Sequence, residues 1–160
     1  HHPGSNRLLR AHRLAKTTMV VSIAPAARST LLAHAEADPG REVCGLLLGQ
    51  PGRIEAALST TNVAADPARN FEIDPALLLR AHRDARGDRR RIIGHYHSHP
   101  NGDGRPSRRD AARASENGQI WLIIAAGTVT AWQAVAENTA AVHGRFVPVT
   151  LAPATRTDAA

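Results

Sequence analysis

The chain has 160 residues, which fits one domain and is long enough to bury a substantial core. Its formal net charge is +6, but Arg7, Arg10, Arg13 and Lys16 carry four of those charges near the start, and the charge without them is +2 (6 − 4). Aromatic residues make up only 3% and no base-stacking or groove-reading motif is present, which argues against a nucleic-acid partner.

The two ends of the chain are expected to lie outside the folded domain. The opening HHPGS resembles a purification tag with its linker, and Met19 is the only methionine, so residues 1–18 are interpreted as tag, linker or leader. The domain is predicted over residues 19–151, followed by a disordered tail over 152–160. No apolar run approaches the roughly 20 residues that span a bilayer, and no secretory signal is visible. These features predict a cytoplasmic protein with no membrane segment.

The first half of the chain predicts a strand, a helix and a hairpin. Val20 to Ala24 is β-rich, and Pro25 suits the first turn of a helix that ends near Asp38. The nearly all-apolar segment 43–49 and the alternating segment 54–62, separated by Pro51 and Gly52, predict a buried β-hairpin. Glu42 would stand at the entrance of its first strand.

The second half predicts a helix from Pro75, capped by Asp74 and ending near Gly87, and then a strand over residues 91–99. After a loop at 100–106, a helix is predicted over 107–117, ending at Gly118. Further strands are predicted at 120–125, 128–135 and 145–151. Three helices and about six strands give an α/β domain with a single mixed β-sheet flanked by helices.

A metal site is predicted at the end of the strand over residues 91–99. Alternate side chains of a strand point to the same face, so His97 and His99 can converge on one ion while Ser98 turns away. Asp110 offers a carboxylate from the first turn of the next helix. Two nitrogens and one oxygen suit zinc and leave a fourth position for water, which is typical of catalytic rather than structural sites.

These residues also resemble a family signature. His97-Ser98-His99 followed by Ser107 and Asp110 resembles the JAMM motif HxHx7SxxD, and the segment from Glu42, EVCGLLLG, resembles the family's upstream ExCGLLLG. With residues 70–75 and the late Ala-Trp strand, the resemblance extends over about residues 20–151. It implies the JAB/MPN architecture, which is related to that of cytidine deaminases, and a zinc metallopeptidase with one zinc per chain.

The same resemblance implies roles and partners. Glu42 would act as general base and Ser107 would hydrogen-bond the oxyanion, with His97, His99 and Asp110 as metal ligands. The expected substrate is the diglycine end of a ubiquitin-like or sulfur-carrier protein. A non-catalytic MPN scaffold is the main alternative. A zinc deaminase is excluded, since it needs HxE together with PCxxC and the chain has one cysteine.

Several of these residues have simpler interpretations. Ser107 with Asp110 is, by itself, a helix-capping pattern. His95 lies on the same strand face as His97 and His99, and it is interpreted as an extra ligand, a hydrogen-bond donor beside the site, or a packed histidine. The motif requires seven residues between its second histidine and Ser107. His97 with His99 meets this spacing and His95 with His97 does not, so His95 is kept out of the ligand set. Cys44 is interpreted as a buried side chain rather than a nucleophile, and its being alone excludes a disulfide framework.

Two arginine-rich segments, residues 83–91 and 105–113, flank the predicted site. The simplest interpretation is a solvated surface. The alternative is a surface that attracts an acidic or carboxylate-bearing chain.

Overall fold

The computed structural model describes residues 18–115 and 118–155 and contains seven strands and three helices. In chain order these are β1 (Val20–Ile23), α1 (Pro25–Ala37), β2 (Cys44–Gln50), β3 (Arg53–Thr60), α2 (Pro75–Arg86), β4 (Arg91–Ser98), α3 (Arg108–Arg113), β5 (Ile120–Ala125), β6 (Thr128–Ala134) and β7 (Phe146–Pro153). The three predicted helices are confirmed, and so are all seven segments predicted one by one as strands, although their total was put at about six.

The strands form one mixed sheet in the order β1-β3-β2-β4-β5-β6-β7. Two parallel pairings, β1 with β3 and β1 with β7, close it into a barrel. β4 is central, antiparallel to β2 and parallel to β5. A strand between two neighbours is fixed along both edges, so the end of β4 is a rigid place from which to present side chains.

Helices α1 and α2 pack differently. α1 starts at Pro25 as predicted and buries Leu31 completely within a cluster of apolar side chains from β1, β2, β4 and β5. α2 is capped by Asp74, whose carboxylate accepts a hydrogen bond from the backbone N–H of Ala76 at 3.0 Å, and it has no fully buried residue. None of the helices in the described part of the chain has the length and apolarity needed to cross a bilayer.

A close approach between β2 and β4 depends on a glycine. Gly45 pairs with Tyr96 across the two strands, and a Cβ at that position would collide with the Tyr96 ring. The ring is fully buried, and its hydroxyl bonds to His34 Nδ1 at 2.7 Å and to Ser59 Oγ at 3.2 Å. Absence of a side chain at Gly45 therefore lets the central strands enclose a large aromatic residue.

Two predicted boundaries are corrected by the structure. The helix predicted over residues 107–117 ends at Arg113, because Ala114 turns to an extended conformation and its carbonyl accepts a hydrogen bond from Arg145 Nη2 at 2.9 Å. Residues 116–117 lie outside the described part. At the C-terminus, the disordered tail was expected from residue 152, but β7 continues to Pro153, because Ala152 and Pro153 pair with β1. The rest of the predicted tail, residues 156–160, is outside the described residues, as is most of the predicted leader.

Candidate metal centre

His97 and His99 lie at the end of β4 and turn the same ring nitrogen toward one point. The two Nε2 atoms are 3.0 Å apart, and both side chains are buried. The predicted alternation therefore holds, even though the strand formally ends at Ser98; the backbone N–H of His99 still bonds to the carbonyl of Ile124 in β5 at 2.9 Å, which extends the ladder by one residue.

Asp110 completes a group of three potential ligands with these histidines. Its Oδ2 lies 3.3 Å from His97 Nε2 and 3.1 Å from His99 Nε2. Tetrahedral ligands at zinc-like bond lengths of about 2.0–2.1 Å are separated by about 3.3 Å. Separations of 3.0–3.3 Å, two imidazoles and a carboxylate thus fit a zinc-sized ion.

The Nδ1 atoms of His97 and His99 have different surroundings. His99 Nδ1 lies 2.7 Å from the carbonyl oxygen of Asp103, which only an N–H can satisfy. The neutral imidazole that binds a metal would therefore present the lone pair of Nε2 to the centre, whereas without a metal a protonated Nε2 can donate to Asp110. The His97 ring is stacked on Phe71 at 4.4 Å between centroids, and its buried Nδ1 has no hydrogen-bond partner in the described part of the chain. Stacking on Phe71, rather than a hydrogen bond at Nδ1, supports this side of the His97 ring.

Ser107 and Asp110 also form the cap of helix α3. Ser107 Oγ accepts from the Asp110 backbone N–H at 3.0 Å, and Asp110 Oδ2 accepts from the Ser107 backbone N–H at 2.8 Å. The capping interpretation of SxxD is therefore confirmed, and it coexists with the contacts to both histidines. Because the Ser107 hydroxyl accepts in the cap, its hydrogen remains available to donate.

Glu42 lies beside the histidines, just before β2. One carboxylate oxygen and one nitrogen from each of His97 and His99 all lie within 4.8 Å of one another, and Glu42 is only 6% exposed. Its backbone N–H donates to the carbonyl of Pro67 at 2.7 Å. On either side of it, Ser98 Oγ accepts from the backbone N–H of Val43 at 2.9 Å and donates to the carbonyl of Arg41 at 3.4 Å.

Asn62 is a second anchor of Glu42, and sequence reasoning missed it. Its amide nitrogen donates to the backbone carbonyls of Glu42 and Asn70, both at 2.8 Å. Its amide oxygen accepts from the backbone N–H groups of Ala64 and Glu72, both at 3.0 Å. One side chain with all four bonds made thus ties the loop over residues 64–72 to the segment that carries Glu42.

Phe71 and Ser98 were also missed as site residues. Phe71 was noticed only within the family-like stretch at 70–75, yet it stacks on His97 and lies under Arg113, whose guanidinium carbon is 4.8 Å from the ring centroid. Ser98 was predicted to turn away from the metal, which is correct, and on that opposite side it binds the backbone around Glu42. A polar residue between two potential ligands is the one signal that could have identified it.

The surroundings of Glu42 and Asp110 shift the pKa values of the two carboxyl groups in opposite directions. Burial raises the pKa of Glu42 to about 7, with Asp110 adding to the effect and His99, Arg113 and Arg109 opposing it. Burial alone would raise the pKa of Asp110 too, but hydrogen bonds from His97 and His99 hold it far below its usual range. Asp110 is therefore an ionised ligand-type carboxylate, while Glu42 is a carboxylate that exchanges its proton near neutral pH.

His95 and Cys44 lie next to this site. His95 packs against Trp121 at 4.2 Å and Phe71 at 5.0 Å between ring centroids, and burial holds its pKa well below the ordinary value. Of the three interpretations left open, packing among aromatic rings fits these contacts. Cys44 is fully buried, and burial raises the pKa of its thiol, which agrees with the expected structural role.

Comparison with known proteins identifies the family. The model of the prokaryotic homologs of the JAB domain matches residues 24–135. A desampylase from Haloferax volcanii is 40% identical over 116 residues, which cover 67% of this chain and 81% of the relative. The chain belongs to the prokaryotic JAB family. The resemblance drawn from HxHx7SxxD and ExCGLLLG is thereby confirmed.

Solved structures of this fold agree. The solution structure of a protein from Desulfitobacterium hafniense superposes with a TM-score of 0.71 at 23% identity, covering 86% of this chain and 94% of that one. A JAB1/MPN domain protein from Archaeoglobus fulgidus gives a TM-score of 0.52 at 17% identity, covering 82% and 97%. The predicted JAB/MPN architecture is therefore confirmed. With its buried Glu42, His97 and His99 group, this JAB domain is a JAMM-type metallopeptidase, as predicted.

Proposed function

We propose that this JAB domain holds one zinc ion between His97, His99 and Asp110 and hydrolyses an amide or isopeptide bond at the diglycine end of a ubiquitin-like or sulfur-carrier protein. The observation that carries the proposal is the convergence of two imidazole Nε2 atoms and one ionised carboxylate at mutual distances of 3.0–3.3 Å. Kinship to a desampylase supports a ubiquitin-like substrate.

Asp110 suits the role of third ligand better than Glu42 does. Its carboxylate is in hydrogen-bond contact with both imidazoles, and its pKa is held far below the ordinary range, so it is ionised whenever a cation can bind. Glu42 has a pKa near 7, so it can accept and release a proton at neutral pH. When bound, zinc supplies a Lewis acid that lowers the pKa of a water molecule and polarises the substrate carbonyl.

The protein groups then account for the proton transfers of hydrolysis. As the oxygen of the attacking water bonds to the carbonyl carbon, Glu42 takes a proton from that water. Glu42 then delivers the proton to the leaving nitrogen as the C–N bond breaks. The Ser107 hydroxyl, which keeps a free hydrogen, donates to the oxygen that gains negative charge. The products are a carboxylic acid and an amine, which near neutral pH ionise to a carboxylate and an ammonium group.

The space at the site supports a slim acyl chain. A cavity of about 530 Å³ adjoins His99 and is bordered by Leu32 and Ala35 of α1 and by Pro100 and Gly102 of the following loop. The helix and the loop both contribute to the lining, and an extended acyl chain without side chains needs the least room in such a groove. A Gly-Gly end meets that requirement.

The rival function is a non-catalytic scaffold, and Glu42→Gln separates the two. The substrate is a bacterial sulfur-carrier protein extended by a short peptide beyond its Gly-Gly end, with zinc supplied. We expect Glu42→Gln to slow cleavage by at least about 100-fold, because the proton carrier is lost. Glu137→Gln, which changes an exposed glutamate, is the matched control. Equal behaviour of Glu42→Gln and wild type would favour the scaffold.

Metal content tests the ligand assignment. We expect about one zinc per chain in protein lacking residues 1–17, whose histidines could bind metal themselves. Asp110→Ala should lose that zinc, whereas Asp84→Ala, at an exposed position on α2, should retain it. Circular dichroism checks that both variants fold. A folded wild type that takes up no divalent ion would refute the proposal.

A further inference from the structure

Two cavities border His99, and Pro100 and Asn101 line both of them. The first is the groove beside α1 described above, whose lining is mainly apolar. The second, of about 340 Å³, is lined by Glu42, Ser107 and His99 together with two arginines, Arg69 and Arg109. The second cavity is called the arginine cleft here.

The position of Glu42 indicates which cavity holds the leaving amine and which holds the acyl chain. Glu42 must reach the leaving nitrogen to protonate it, and it lines the arginine cleft but not the groove beside α1. A third cavity also borders Glu42, between α1 and β3, but neither His97, His99 nor Asp110 lines it. The leaving amine therefore occupies the arginine cleft, and the acyl chain approaches through the groove.

We propose that Arg69 and Arg109 form a carboxylate-binding site for the leaving group, so that the preferred substrates carry a carboxylate immediately after the scissile bond. This inference rests on the proposed peptidase function and specifies its substrate class. The carboxylate is either the free α-carboxylate of a single terminal amino acid or the side chain of an acidic residue.

Both arginines are held on ordered backbone. Arg69 ends a turn in which its N–H bonds to the carbonyl of Asp66 at 3.2 Å, and the neighbouring carbonyl of Pro67 accepts from the Glu42 N–H at 2.7 Å. Arg109 lies in the first turn of α3, next to the Ser107 cap. The loop that carries one guanidinium and the helix that carries the other are thus fixed to the base and to the oxyanion donor respectively.

Arg69 and Arg109 are both exposed residues. Across residues 18–115 and 118–155, neither Arg69 nor Arg109 has an acidic partner within ion-pair distance. Arginine presents a planar fork of N–H donors that matches the two oxygens of a carboxylate. Two unpaired arginines beside the reacting atoms would therefore distinguish a carboxylate from a neutral group of the same shape.

The test uses four synthetic peptides that share one acyl sequence ending in Gly-Gly. They continue with alanine as a free acid, alanine amide, aspartate amide or asparagine amide, and kcat/KM is measured with the zinc-loaded full chain by mass spectrometry. We expect at least one charged peptide to be cleaved about 10-fold faster than its neutral counterpart, a value typical of one charge-assisted hydrogen bond. Comparison of the two alanine peptides tests for binding of a free α-carboxylate. Comparison of the aspartate and asparagine peptides tests for binding of a side-chain carboxylate.

Variants assign the preference to the two arginines. The ratio of charged to neutral rates should fall to about one in the Arg69→Gln, Arg109→Gln double variant and be partly kept with lysine at both positions. Arg108→Gln, at an exposed neighbouring position that does not line the cleft, should keep the full ratio. Zinc content is measured for each, because Arg109 adjoins Asp110.

The two levels of the proposal fail differently. Cleavage of charged and neutral peptides at equal rates by the wild type, or an unchanged ratio in the double variant, would overturn the carboxylate site and leave the peptidase standing. Cleavage of none of the four peptides would overturn the peptidase function, and the carboxylate site with it.

Discussion

Replacing Glu42 with glutamine should change how the stability of the metal-free protein depends on pH. Glu42 is 6% exposed, and burial raises the pKa of its carboxyl group from 4.5 to about 7. Below pH 4.5 it is protonated in both the folded and the unfolded protein and resembles glutamine. Between 4.5 and 7 the unfolded chain releases the proton first, so the wild type loses stability as the pH rises. Above 7 the loss is complete.

The magnitude follows from the difference between the two pKa values. A difference of about 2.5 corresponds to at most about 3.4 kcal/mol, because each pH unit contributes about 1.36 kcal/mol. Glu42 borders water-accessible cavities, and solvent screening reduces the effect, so we expect about 1 to 2 kcal/mol. Glu42→Gln should match the wild type near pH 4.5 and exceed its free energy of unfolding by that amount at pH 8.

The assay is urea unfolding in EDTA, followed by the fluorescence of the buried Trp121 and Trp132. Both proteins contain the same histidines, so titration of those distant from Glu42 cancels in the difference between them. His99, which interacts with the Glu42 charge, is the exception. Glu137→Gln serves as the control and should parallel the wild type at every pH. A difference between wild type and Glu42→Gln that does not grow with pH would refute the reasoning, as would a wild type that is the more stable protein at pH 8.

Three further outcomes follow from other contacts. Cys44, buried and with a raised pKa, should resist iodoacetamide at pH 8 until the protein unfolds; rapid labelling of folded protein would contradict this. Gly45→Ala should lower the free energy of unfolding by about 2 to 3 kcal/mol, because the new methyl group collides with the Tyr96 ring; a neutral effect in thermal unfolding would show that the strands can separate. Asn62→Ala removes four hydrogen bonds around Glu42 and should slow peptide cleavage while zinc content is retained; an unchanged rate would refute the anchoring role.

Convergence of His97, His99 and Asp110 could be predicted because each step is local. Strand alternation puts the two imidazoles on one face, and a short loop returns the chain to a helix whose first turn carries the carboxylate. The cap at Asp74 and the proline-started helices were equally accessible, since capping involves residues that are near in sequence.

The features that the sequence did not predict depend on contacts between residues that are distant in the chain. Ser98 binds Val43 across 55 positions and Asn62 binds Glu42 across 20, and no periodic pattern marks either partner. The early end of α3 has the same origin, because the carbonyl of Ala114 is taken by Arg145, 31 residues later. Closure of the sheet between β1 and β7 joins the two ends of the described chain, which neither segment specifies by itself.

The side chain of Ser98 has a mechanical consequence. The two imidazoles lie on one face of β4. From the other face, the Ser98 hydroxyl hydrogen-bonds the backbone of the residues just before and just after Glu42. These two hydrogen bonds couple the backbone position of Glu42 to that of the strand. A displacement of β4 relative to Glu42 would have to break them, so Ser98 helps to fix the distance between the Glu42 carboxylate and the two imidazoles.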